Sequence, residues 1–273
     1  MPSVIAAATL NGGGGDLTLT ADPGGSSGAV NLSDGPRSIT LSRDDQRTLG
    51  KALRSTTPQV VGHGRDGKLL WRVTNGEPDE SGDSIRRSHT LTVAGADDDM
   101  ESLVSRPGVR LTERQVNGLD DTLARLGVAR RMETGYGPLD MFVTEKDEIA
   151  FRMKDDNGGP TEVAFGRQDW RRIADATDLL VEGFDESGPE DQEEINDLVV
   201  KTSAGPVEMH WRGQRVEPGY APDSRLIMAP QYDAAWSMVV DGAHMSQVLG
   251  HFGWLEEAAG AARMASRKQG GNW

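Results

Sequence analysis

One short pattern, repeated, constrains this chain more than any other feature. Residues 38–53, SITLSRDDQRTLGKAL, are echoed without a gap by residues 108–123, GVRLTERQVNGLDDTL. Ile39 aligns with Val109, Leu41 with Leu111, Ser42 with Thr112, Leu49 with Leu119 and Leu53 with Leu123. A looser copy lies at residues 162–177, EVAFGRQDWRRIADAT. A fourth is read at residues 225–240, RLIMAPQYDAAWSMVV, which keeps Leu226, Met228, Trp236 and Val240 in register. Pro230 then falls in a first helical turn, where proline is tolerated.

The physics of the pattern is that of a strand running into a capped helix. Alternation at Ile39 and Leu41 buries one strand face, and the hydroxyl of Ser42 or Thr112 accepts a bond from an early helical amide. The apolar positions then change to helical spacing, as at Leu119, Leu123 and Leu126. Upstream of each copy the chain reads as antiparallel strands: residues 17–20, 68–73 after Asp66-Gly67, 141–153, and 198–211 around Gly205-Pro206. A terminal helix is expected over residues 243–268, with Val248, Phe252, Leu255 and Ala259 on one face.

The expected fold is therefore α+β and β-rich, with about four units of antiparallel hairpins each followed by a helix, and a C-terminal helix. The units are residues 1–57 (an N-terminal arm and the first unit), 58–131, 132–184 and 197–273. An acidic linker at 185–196 separates the last two, and the chain is expected to divide near residue 190. Between Thr177 and Val199 nine acids occur with no base, so most of the net charge of −14 sits in one stretch.

The absence of cysteine excludes disulfides, thiol nucleophiles and thiolate metal sites. No stretch approaches the roughly 18 uncharged apolar residues of a membrane span, and no signal peptide is read. The four glycines at 12–15 resemble a phosphate loop only in composition, since no Gly-Lys-Ser/Thr follows. Asp97, Asp98 and Asp99 lack the alternating ligands of a calcium loop, and His244 and His251 read as ordinary histidines. No catalytic residue, metal or cofactor is expected, and the chain is not expected to be an enzyme.

Two helices carry basic stripes. Arg43, Arg47, Lys51 and Arg54 line one face of the first, and Arg167, Arg171 and Arg172 cluster on the third. Such stripes can track a phosphate backbone, although Asp44, Asp45, Asp169 and Asp175 interleave with them, as on a solvated face. Trp71 and Trp211, each on a strand beside an arginine, are candidate base-stacking platforms. The segments GVRLTERQ and SITLSRDDQ resemble the strand-to-helix junction of PC4-like single-stranded-DNA-binding domains, which implies nucleic-acid binding. The acidic, repeated layout with basic helices is also similar to that of sliding clamps.

The leading expectation is nonetheless a structural or assembly protein, such as a bacteriophage virion component, found in the virion or the cytoplasm. Arginine outnumbers lysine 23 to 6, in keeping with a GC-rich coding source. Its partners would be other subunits in a homo- or hetero-oligomer, touched through residues 1–28, residues 183–196, and Phe252 and Trp254 as apolar anchors. Nucleic-acid binding through the basic stripes and tryptophans is the alternative.

Overall fold

The computed structural model describes residues 5–21, 28–53, 59–64, 67–78, 85–95, 97–154, 159–186, 197–216, 219–232 and 235–269. The fold is α+β, and one motif of four antiparallel strands followed by a helix occurs four times. The first comprises β1 (Ala7–Gly12), β2 (Gly15–Ala21), β3 (Val30–Ser33), β4 (Ser38–Leu41) and α1 (Arg43–Leu53). The second comprises β5 (Gln59–Gly64), β6 (Gly67–Pro78), β7 (Ile85–Ala94), a short inserted helix α2 (Met100–Ser105), β8 (Val109–Leu111) and α3 (Glu113–Gly127).

The third runs through β9 (Arg130–Thr134), β10 (Gly137–Val143), β11 (Ile149–Lys154), β12 (Pro160–Phe165) and α4 (Arg167–Glu186). The fourth holds β13 (Asp197–Thr202), β14 (Gly205–Arg212), the small hairpin β15 (Arg215–Val216) and β16 (Gly219–Tyr220), then β17 (Arg225–Pro230), β18 (Met238–Asp241) and α5 (Gly242–Gln269). Each motif forms its own sheet in chain order, the β15–β16 hairpin standing apart.

The repeat holds at the level of single side chains. Ser42, Thr112, Gly166 and Asp241 precede the four long helices, and seven residues past each stands a buried aliphatic: Leu49, Leu119, Ile173 and Val248. Four residues further on, Leu53, Leu123, Thr177 and Phe252 are buried as well. The second strands share a register too. Leu19, Trp71, Met141 and Met209 occupy one inward place, and Leu17, Leu69, Leu139 and Val207 another. Inward residues of strand and helix thus supply the core from equivalent places in every motif, and their burial is the main source of stability at about 25 cal/mol per Å² of apolar area.

The caps are built as the sequence indicates. Thr112 Oγ1 accepts from the Gln115 amide at 3.3 Å while Gln115 Oε1 accepts from the Thr112 amide at 2.9 Å, a capping box. Ser42 and Asp45 repeat it on α1 at 3.2 and 3.1 Å. The fourth copy is displaced from its expected place. Leu226 and Met228 lie in β17, Trp236 in the connection to β18 and Val240 in β18, so no helix starts at Pro230. The true junction is at Asp241, whose Oδ1 accepts from the His244 amide at 3.3 Å. A strand followed by a loop satisfies the same apolar spacing as a strand followed by a helix.

The chain packs as two compact units that divide after Arg130, at the first residue of the third motif, rather than near residue 190, with the end of α5 from Lys268 grouped with the first unit. Most of the expected acidic linker lies outside the described residues, and its start belongs to α4, which continues to Glu186.

Inside each unit the two motifs exchange helices. In the first unit α3 packs against β1, β2 and β3 as well as β7 and β8, and α1 packs against β5 as well as β4. In the second unit α4 lies on β13 and β14, and Phe252 of α5 reaches Phe151 of β11 with ring centroids 6.1 Å apart. Hairpin turns close each unit: Gly13 and Arg110 exchange backbone bonds at 2.9 and 2.8 Å, and the Gly135 amide donates to Asp241 Oδ2 at 2.6 Å. Because each sheet is covered by its neighbour's helix, one motif alone leaves apolar surface bare, so the pair is the folding unit.

Candidate nucleic-acid interface

The four helices present their outer faces differently, and the shared register allows them to be compared position by position. One, five and nine residues past the cap, α1 carries Arg43, Arg47 and Lys51. The same places hold Glu113, Asn117 and Asp121 on α3, Arg167, Arg171 and Asp175 on α4, and Gly242, Ser246 and Gly250 on α5. Only α1 is cationic at all three. Its stripe lies opposite Leu49 and Ala52, which bury the other side of the helix. Steps of four residues rise about 6 Å, which is close to the separation of successive phosphates on an extended strand.

Arg47 stands 74 % exposed and meets Asp44 of its own first turn at 3.2 Å. An exposed pair at that spacing contributes only about 0.3–0.5 kcal/mol, so Arg47 can exchange Asp44 for a phosphate at small cost. Lys51 is exposed and Arg43 half-buried. Arg54 lies outside the described residues.

The arginines of α4 serve the fold instead. Arg171 donates to Glu256 Oε1 on α5 at 2.5 and 3.0 Å, which holds its guanidinium above the usual arginine range, and Arg167 lies 3.9 Å from the same oxygen. Arg172 reaches Asp169 and the Lys201 carbonyl, each at 3.3 Å. Asp169 in turn accepts from the Ser203 amide at 2.9 Å and its hydroxyl at 2.5 Å. Burial pushes the Asp169 carboxyl up, but the Ser203 bonds and Arg172 outweigh it and the carboxyl stays below its ordinary value. This stripe ties α4 to α5 and to the turn between β13 and β14.

The tryptophans are not platforms. Trp71 is fully buried and stacks on the buried His89 with centroids 5.1 Å apart, while Trp211 packs edge-on to Tyr220 at 5.7 Å. Both occupy inward places of the shared strand register, so a base cannot reach them. Phe252 is also removed from the surface, because it packs against Trp170 at 4.6 Å in the core. Trp254, 46 % exposed beside His251, remains available for a contact.

Other sequence features have structural partners. His244 Nδ1 lies 2.8 Å from Asp241 Oδ1, and Asp98 binds Arg106 and the Gly95 amide, contacts that lower its carboxyl pKa. Among the described residues no three histidines or carboxylates converge as metal ligands, and no helix is long and apolar enough to cross a membrane.

Sequence reasoning missed Arg130, the first residue of β9, three positions past the end of α3. It is 6 % exposed, and its Nη1 donates to the carbonyls of Gly127 and Ala129 at 3.2 and 2.8 Å. Burial, and then the like charge of Arg43, push its pKa down to about 10. Burial of an arginine beyond a helix end leaves no mark in local sequence. Compared with protein-family models, curated proteins and solved structures, the chain matches none.

Proposed function

We propose that the chain binds single-stranded nucleic acid through the outer face of α1. The observation that carries this reading is the three-residue cationic row Arg43, Arg47 and Lys51, facing away from the core at one-turn intervals, where the equivalent rows on α3, α4 and α5 are acidic, internally bonded or neutral. The resemblance of the strand-to-helix junction to PC4-like single-strand binders supports it. That junction recurs at all four long helices.

The test is fluorescence anisotropy of labelled single-stranded and duplex oligonucleotides at low salt, with the triple variant Arg43→Glu, Arg47→Glu and Lys51→Glu beside the wild type. The wild type is expected to bind the single strand, with affinity falling as salt rises by a logarithmic slope of about −0.7 per phosphate contacted. The triple variant should fold and lose binding. No wild-type binding at low salt rules the reading out.

Subunit assembly, including a place in a virion, keeps one observation in its favour. Leu179 on α4 and Trp254 on α5 stand 56 % and 46 % exposed in the second unit, as apolar anchors of an interface would. The solution mass of the purified chain checks it, since a monomer at high concentration speaks against assembly.

A further inference from the structure

The cap end of the α1 stripe contains more positive charge than the helix itself supplies. Gly28, at φ +71°, covers Arg130, and a side-chain carbon placed on it would stand 2.6 Å from Arg130 Nη2 and 2.6 Å from Arg43 Nε. Two guanidinium groups therefore meet across one glycine α-carbon. The buried Arg130 Nη2 has no hydrogen-bond partner among the described residues. Gln46 holds this corner closed, its Nε2 donating to the Gly28 carbonyl at 2.7 Å and the Leu41 carbonyl at 3.0 Å.

Among the described residues, the two acids in the first turn of α1 already have partners of their own. Asp45 accepts from the Ser42 amide and hydroxyl at 3.1 and 2.6 Å, and Asp44 accepts from Arg47. Two clustered positive charges, one buried and incompletely bonded, at the positive end of an eleven-residue helix form a seat for an anion.

We propose that Arg43 and Arg130 form the binding site of a single phosphate group, which on a nucleic-acid strand is the phosphate that sets the register of the chain along Arg47 and Lys51. Arg43, half-buried, takes the phosphate oxygens, and Arg130 stands one layer beneath and supplies charge. The identification of the phosphate as part of a strand rests on the reading above; the site itself does not.

Two probes separate the two claims: inorganic phosphate, followed by thermal melting of the full chain against chloride at equal ionic strength, and the labelled oligonucleotide. Phosphate is expected to raise the wild-type melting temperature more than chloride does, and Arg43→Gln and Arg130→Gln should lose that difference. Arg43→Gln should weaken the oligonucleotide about tenfold, the effect of losing one charge-assisted contact; Arg130→Gln, which removes the charge beneath, should weaken it less, and Arg130→Lys should recover most of that loss.

Equal response of the wild type to phosphate and chloride overturns the site. Phosphate stabilisation without oligonucleotide binding upholds the site and overturns the single-strand reading. An oligonucleotide bound equally by wild type and Arg43→Gln, with no phosphate effect, does the reverse. If Arg130→Gln does not fold, Arg43→Gln decides alone.

Discussion

Arg171 on α4 donates to Glu256 on α5 at 2.5 Å, whereas Arg47, which holds the same place past its cap on α1, meets Asp44 of its own turn and no other acid among the described residues. One position of the repeat thus joins two helices in the second unit and faces solvent in the first. Arg47→Glu is expected to change stability by less than about 0.5 kcal/mol and to weaken oligonucleotide binding. Arg171→Glu, which sets a like charge against Glu256, should lower stability measurably but modestly, since the pair is partly exposed, and leave binding unchanged. Urea melts and anisotropy on the two variants check the contrast.

The buried row allows a sharper comparison. Ile173 and Leu49 are fully buried at equivalent places, while Leu179 on α4 is 56 % exposed. Ile173→Ala and Leu49→Ala should each cost about 2–5 kcal/mol through lost burial and the cavity left behind. Leu179→Ala should stay within about 0.5 kcal/mol. Chemical denaturation of the three variants measures this directly.

What is legible in the sequence is local. The strand, cap and stripe at Leu41, Ser42 and Leu49 recur at Leu111, Thr112 and Leu119, and the structure has them as strand, cap and helix. The fourth copy reads in the wrong place because Asp241-Gly242 carries a turn signal, while the alternation of Leu226 and Met228 imitates the strand before a helix. The inward register of Trp71 follows in principle from Leu69 and Gly67, but tryptophan beside arginine points equally to base stacking. The helix exchange, and the use of Arg171 for α5 rather than for a ligand, depend on contacts between motifs some 85 residues apart, which no window of sequence contains.

Acid should loosen the second unit through Asp169. Its carboxyl is held below 3.8, so its contribution to stability is present above the unfolded value and is lost as pH falls through the lower folded one. Between pH 6 and pH 3 the urea midpoint of the wild type should fall more steeply than that of Asp169→Asn, which has no charge to lose. Parallel curves for the two proteins would assign the acid sensitivity elsewhere.

Glycines at two turns separate backbone strain from crowding. Gly137 has φ +109° and open space within 4 Å of where a side-chain carbon would stand, so Gly137→Ala meets only the penalty of a left-handed conformation, about 1 kcal/mol. Gly28 shares the positive φ but is crowded as well: the added carbon would lie 2.5 Å from the Gly127 carbonyl and 2.6 Å from both arginines. The Gly127 carbonyl cannot retreat cheaply, since it is backbone and accepts from Arg130, and the Gly28 carbonyl is held by Gln46, so the Arg43 side chain is the neighbour that gives way. Gly28→Ala should therefore cost clearly more than Gly137→Ala, about 2–4 kcal/mol, and should displace Arg43 from Arg130. The two effects are read separately, stability by denaturation and the arginine pair by the phosphate-dependent rise in melting temperature. Loss of that rise in Gly28→Ala and its retention in Gly137→Ala is the expected result, because only Gly28 lies between the two guanidinium groups.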